Sequence, residues 1–527
     1  MKSIYMKSVK WLLVISLFFS AGACTDLEVV PEDAFTEFEV FKDPQAYRSY
    51  LAKLYASFSL TGQDGPAGDS DISIVTDEGF TSYIRAYWKA QELTTDEAVI
   101  AWTDAGIRDL HNHAWSSENQ FVRVIYYRVA LIVSIANDFL KQSSPERLSA
   151  NGISATDREI IEGYRHEARF LRALAYWHAL DLFRNIPLVT EISADFPVQA
   201  DPFVLFEFIE TELKEIEVLL PEPRQNEYAR ADKAAVWTLL AKLYLNAESM
   251  IGQDHYTECI EYCKKVIGSG YSLDPEYQSL FMKDNHLSNE IIFPFAQDGK
   301  NSQTWGGSTF LVQAAIGGSM VDSDYGVSGG WAGLRTTKAM LDKFPDLTGD
   351  IDKRAIFYTD GQTIEIDDIG EFTEGIAVPK YTNTNMDGEP GSDPTHVDTD
   401  IPLFRLADIY LMYAEAILRG GQGGDLSEAM GYINDIRERA YGDESGNISM
   451  SDLDLPFILD ERVRELYWEG HRRIDLIRYG LLTGGDYLWP WKGGIKEGRA
   501  TEEFRDIFPI PASDLLANPN LKQNDGY

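Results

Sequence analysis

The sequence predicts a mainly α protein. Tetratricopeptide-like helical hairpins form a scaffold, and an irregular, loop-rich half carrying short strands lies on it. Three observations lead there. Long segments repeat apolar and small residues at helical spacing. Trp237-x-x-Leu240-Ala241-x-x-Tyr244 matches the start of a tetratricopeptide repeat, with Ala in place of the usual Gly. The stretch 269–400 is rich in Gly, Asp, Ser and Thr and breaks often at Gly-Gly and Pro, so long regular elements cannot run through it.

The elements follow in chain order. Residues 1–10 carry Lys2, Lys7 and Lys10 and no acid, and residues 11–20 are apolar but for two serines. This is a signal peptide over 1–23, too short in its apolar part to span a bilayer. Cys24 follows Ala21-Gly22-Ala23 directly, where a bacterial lipobox places the cysteine that is acylated. Two or more acyl chains make a stable anchor. The mature chain, 24–527, reads as one domain: a helical N-terminal part to about 250 with a loop region at 60–120, the loop-rich part 269–400, and a helical C-terminal part 401–527.

Thr156-x-x-Glu159 reads as a capping box opening a long helix that Asn185-Ile186-Pro187 stops. Further helices are predicted at 203–220, 232–248, 254–268, 402–419, 425–440 and 456–479. Gly420-Gly421 closes one of them and Asp425 caps the next. The segments 232–268 and 405–440 each read as a helical hairpin. Cys259 and Cys263, four apart on one helix face, read as small buried residues rather than a disulfide or zinc pair.

The formal charge of −37 argues against nucleic acid and anionic headgroups as partners. Aromatic residues make up 12% of the chain; much of that must be core, and an extracellular binder would also need some of it outside. No G-x-S-x-G, H-E-x-x-H or P-loop is present, and carboxylate pairs in a chain with 84 acids say little about glycoside hydrolysis. Asn383-x-Asn385-x-Asp387-Gly388 starts like a calcium loop, but its twelfth position is Pro394 and its first is not acidic. His111-x-His113 has no third ligand at readable spacing. No cofactor is predicted. The carboxylates of 346–400 leave room for a structural calcium, with no ligands assigned.

Several segments together resemble one family, the SusD/RagB outer-membrane glycan-binding lipoproteins. They are EARFLRALAYWHALDLFRNIPLVT (167–190), RLADIYLMYAEAI (405–417), ILDERVRELYWEGHRRIDLIRYG (458–480) and FPIPASDLLANPNLKQNDGY (508–527), the last being the most specific. Similarity is weaker over 33–58 and 94–115 and least over 270–400. The resemblance implies a non-catalytic lipoprotein at the outer membrane, facing the cell exterior. Such a protein captures oligosaccharide or polysaccharide and lids a SusC-like TonB-dependent transporter. Some members carry peptides instead, so a peptide or glycopeptide carrier is the alternative. A secreted helical glycosidase and a pure protein-binding scaffold stand further off.

A sugar ring offers apolar C–H faces and a rim of hydroxyls, so a binder needs an exposed indole or phenol beside polar side chains. The resemblance carries Trp102 and Asn112 over to the glycan site, with Asp104 between them, and Trp331 in its Gly-Gly-Trp segment. Trp305, in SQTWGGST, is the further candidate. Trp177 and Trp237 lie on packed helix faces and read as core. Trp489 and Trp491 could equally support the contact with the barrel.

Overall fold

A computed structural model describes residues 37–66, 68–72 and 78–527. Cys24 and the signal peptide lie outside the described residues. The fold is mainly helical. Twelve helices carry the argument: α1 (Pro44–Ser59), α2 (Tyr83–Glu92), α3 (Gln120–Gln142), α4 (Ala155–Phe183), α5 (Pro202–Ile216), α6 (Lys233–Leu245), α7 (Tyr256–Ile267), α8 (Gly307–Ala314), α9 (Leu406–Leu418), α10 (Leu426–Tyr441), α11 (Leu455–Leu466) and α12 (Arg472–Arg478). Four short strands matter beside them: β1 (Val99–Ile100), β2 (Ile291–Phe295), β3 (Leu334–Arg335) and β4 (Ile401–Arg405).

Helices α3, α4 and α5 pack in sequence, with α1 against α3 and α4. The predicted hairpins are present: α6 packs on α7, α7 on α9, and α9 on α10. Ala241 is fully buried between these helices, and the small side chain allows their close approach. Cys259 and Cys263 are buried free thiols, their sulfurs 4.0 Å apart in a weak thiol–thiol hydrogen bond and not a disulfide. One continuous apolar core runs from Tyr47 to Leu521. Among the described residues no helix is long and apolar enough to cross a membrane.

Four differences from the sequence reading have physical causes. The long helix starts two residues earlier, because Ser154 and not Thr156 caps it, its Oγ accepting from Asp157 N at 3.2 Å. The segment predicted as a helix over 402–419 begins as strand β4, which pairs antiparallel with β2 from Ile291↔Arg405 to Phe295↔Ile401. The segment 456–479 is two helices. Its break is a turn at Tyr467–His471 with Trp468 at φ 65° and Gly470 at φ 82°. Two carboxyls hold that turn: Trp468 N donates to Glu97 at 2.9 Å and Gly470 N to Glu92 at 2.5 Å. A side chain at 470 would also meet the Tyr87 ring at 2.9 Å. Finally, the 60–120 region read as loops contains α2, and α3 was not anticipated. All ten residues of α2 are buried; its polar stripe of Arg85, Lys89 and Glu92 faces into the protein and not into solvent.

Buried ion pairs join the C-terminal helices to the loop-rich half. Arg405 meets Glu290, Glu465 and Glu469, while Arg354 meets Asp352, Glu461 and Glu465, all at or near zero exposure. Burial alone would raise the Glu465 carboxyl, but Arg439, Arg405 and Arg354 outweigh it and hold it at about 2.

Candidate functional site

Strands β1 and β3 pair antiparallel, Val99 opposite Arg335 and Ile100 opposite Leu334. The ladder runs one bond further, Ala101 N donating to Gly333 O at 2.8 Å. Trp102 therefore leaves β1 just where Trp331 leads into β3. Trp102 Nε1 donates to the Trp331 carbonyl at 3.0 Å, and the ring centroids are 6.2 Å apart at 47°.

The end of α8 anchors the Trp331 loop. Trp331, Ala332 and Gly333 donate backbone hydrogen bonds to Gln313, Ile316 and Ala314 at 2.7, 2.8 and 2.9 Å. Ala332 is held at φ 46°, a conformation that non-glycine residues seldom adopt. Trp305, two residues before α8, adds the third indole. Its ring lies 6.1 Å from Trp331 and 4.6 Å from His396.

Arg85 of α2 joins the three. Its guanidinium lies 4.9 Å from the Phe310 ring centre, 5.6 Å from Trp102 and 5.7 Å from Trp331, and Nη1 donates to the Trp305 carbonyl at 3.2 Å. A cation against aromatic faces in a desolvated place is worth about 1–2 kcal/mol per good contact. Arg108 fixes the backbone from the other side, donating to the carbonyls of Trp102 and Ala101 at 3.1 and 2.8 Å. The three indoles are half-buried, so each is seated on the core and still reaches solvent. Asp104 is exposed two residues beyond Trp102.

The structure brings Trp102, Trp305 and Trp331 together. Asn112 is placed differently. It ends the turn Arg108–His111, its side chain lies against Gly494, and no hydrogen bond joins it to the three indoles. Trp177 is core. Trp237 is half-buried, with Nε1 donating to Glu217 at 3.0 Å. Trp489 is buried with Leu476, Ile477 and Leu482, which removes it as a surface for a barrel contact. Trp491 packs on Val99, Ile366 and Ile369 and donates Nε1 to the Ile366 carbonyl at 3.1 Å. The sequence reading missed Arg85, Phe310 and His396. A signal was available for the first: Arg85 and Lys89 stand four apart in the aromatic segment YIRAYWKAQE of an acidic chain.

Burial pushes both His111 and His113 down to about 3, with Arg108 and Arg335 adding to the effect at His111. His113 spans Thr94 O at 2.8 Å and Thr501 Oγ1 at 3.1 Å, which occupies both its nitrogens. Asn383 and Asn385 close turns. Asn383 Nδ2 donates to Gly326 and Asp393 carbonyls at 3.0 Å, and Asn385 Oδ1 accepts from Asp387 N and Glu389 N. Among the described residues no group of three or more His, Cys, Asp or Glu side chains is arranged to hold a metal.

A helical scaffold presenting clustered, half-exposed indoles defines a binding protein. Residues 346–527 match the SusD family. The chain is 37% identical to the starch-binding protein SusD of Bacteroides thetaiotaomicron, with all of both chains covered. It is 25% identical to a SusD-like protein of Bacteroides ovatus, over 99% of this chain and 98% of that one. The surface glycan-binding protein A of Bacteroides thetaiotaomicron, solved with laminarihexaose, shares the fold. Its TM-score is 0.68 at 19% identity, over 91% of this chain and 99% of that one. A laminarin-binding SusD-like protein superposes with a TM-score of 0.69 at 21% identity, over 92% and 99%. The chain belongs to the SusD family.

Proposed function

We propose that this protein is a surface lipoprotein, anchored to the outer membrane through Cys24. It captures oligosaccharides on the platform of Trp102, Trp305 and Trp331 and passes them uncut to a SusC-like TonB-dependent transporter. The observation that carries the reading is the cluster itself: three half-buried indoles from three separate segments, braced by one guanidinium and by the Trp102–Trp331 hydrogen bond. Sugar C–H faces stack on such rings, and Asp104 accepts from a hydroxyl at the rim. Nothing in this chemistry needs an acid, a base or a metal. The whole-length similarity to a starch-binding protein supports an α-glucan as the first ligand to try, and the neighbour solved with laminarihexaose supports a β-glucan as the second.

The test is native electrophoresis in gels cast with amylopectin, laminarin or a host glycan. Retardation in one gel, lost in Trp102→Ala and Trp331→Ala, supports the platform. Retardation in none, with binding to peptides unaffected by either change, would replace the reading by a peptide carrier. Fractionation of a Cys24→Ser variant tests the anchor, which predicts release from the membrane. Co-purification of an outer-membrane barrel with the wild type tests the delivery step.

A further inference from the structure

Away from the indoles, α3, α4, the loop 186–198 and the C-terminal segment 514–521 enclose a cavity of about 400 Å³. That is within the range of sites that hold a ligand group. Its walls are mostly apolar, with Val133 and Phe183 inside and Ile192 and Phe196 at the mouth. The mouth is unusual for a folded surface. Ile192 is 50% exposed and Phe196 60%. Exposed apolar groups gathered at one place mark an interaction site.

The loop is fixed in this open form. Asn518 Nδ2 donates to Pro197 O at 2.8 Å and Asn520 Nδ2 to Phe196 O at 2.9 Å, tying it to the C-terminal segment. Two polar features point to the occupant. Tyr126 lines the cavity, is only 8% exposed, and its hydroxyl has no hydrogen-bond partner among the described residues. It can donate to a guest carbonyl. Glu191 and Asp514 also line the cavity, no Lys or Arg does, and neither carboxylate has an ion-pair partner among the described residues.

We propose that this cavity is a docking site for a polypeptide partner that inserts one aromatic or branched apolar side chain and sets a Lys or Arg beside it against Glu191 and Asp514. A saccharide would leave its hydroxyls unpaired against these walls. A small amine would fill the cavity and leave the outer faces of Ile192 and Phe196 wet, whereas a polypeptide covers them as well. The acidic rim repels anionic headgroups, which argues against a lipid surface. The site shares no residue with the indole platform, so the two readings stand or fall separately.

The probes are two blocked peptides, acetyl-Ser-Phe-Lys-Lys-amide and acetyl-Ser-Phe-Glu-Glu-amide, titrated into the purified protein. The basic peptide is expected to bind and the acidic one to bind about tenfold or more weakly. Ser134→Trp, at an exposed position of α3 on the cavity, should abolish binding of the basic peptide. Its glycan titration and thermal melt, unchanged from wild type, would show that it folds. Glu191→Lys with Asp514→Lys should reverse the preference between the peptides. No binding of the basic peptide, equal binding of both, or binding that survives Ser134→Trp would overturn the proposal. So would phenethylamine binding as tightly as the basic peptide, which would make this a small-molecule site.

Discussion

Gly333 lies against the Trp102 ring, two residues after Trp331, and replacing it by alanine tests whether the geometry of the pair is locked. A β-carbon there would lie 2.6 Å from Trp102 Cε2 and 2.8 Å from Cζ2 and Nε1. Ordinary carbon contact begins near 3.5 Å, so the indole must move by about 1 Å. It cannot do so freely, because Phe310, Trp331 and the Arg85 guanidinium surround it. The displacement stretches the 3.0 Å bond from Trp102 Nε1 to Trp331 O, a loss of about 1 kcal/mol. Overpacking adds about 1–3 kcal/mol. Gly333→Ala should therefore lower the melting temperature and shift tryptophan fluorescence. It should also weaken glycan binding at least about tenfold, or about 1.4 kcal/mol. Gly329→Ala is the matched control in the same loop, since its β-carbon would meet nothing within 4 Å. It should behave as wild type in all three assays. If Gly333→Ala binds glycan as wild type does, with the same fluorescence, the indole is not locked and the argument from geometry fails.

Glu465→Ala leaves Arg405, Arg439 and Arg354 without the buried carboxylate they share, and should cost about 3–5 kcal/mol by urea unfolding. A fall below about 1 kcal/mol would mean that water or other carboxylates replace it. The acid limb of stability should follow the same pairs. Burial raises the Glu415 carboxyl, but Arg478 and Arg419 overcome that and hold it at about 2, as Glu465 is held. Their folded values lie below the ordinary glutamate value, so their contribution is present above about pH 4.5 and is lost as pH falls toward 2. Melting temperature should drop across that window, and Glu415→Gln should flatten part of the drop. Cys259 and Cys263 are fully buried, and burial together with the neighbouring Cys259 sulfur pushes the Cys263 thiol up. Neither should react with a thiol reagent until the chain is unfolded; rapid labelling of the native protein would contradict their placement.

The helical hairpins were legible from the Trp237-x-x-Leu240-Ala241-x-x-Tyr244 motif and from capped ends: Asp425 does accept from Glu428 N at 2.9 Å. Helix α2 went unread although Arg85, Lys89 and Glu92 repeat at helical spacing, because it is short and sits in a segment with loop-like Gly, Asp and Thr on both sides. The break at Tyr467–His471 was hidden for another reason. Glu92 and Glu97, some 370 positions away in the chain, hold that turn, and no local pattern reports such distant partners. In the site, Trp102, Trp305 and Trp331 could be named from their glycine-rich surroundings. Their convergence could not, because it depends on a two-residue strand pairing between 99–100 and 334–335. Arg85 looked like an ordinary helix residue until the tertiary fold laid it against the rings. Asn112 was carried by resemblance alone, and the structure turns its side chain to Gly494.

Whether the three indoles form one glycan platform is decided by calorimetric titration of the purified protein with maltoheptaose, with Trp331→Ala and Trp102→Ala beside it. Saturable heat is expected with the wild type and its loss in both variants, each of which melts as a folded protein. Heat that persists unchanged in both variants would place the glycan elsewhere and rule the platform out.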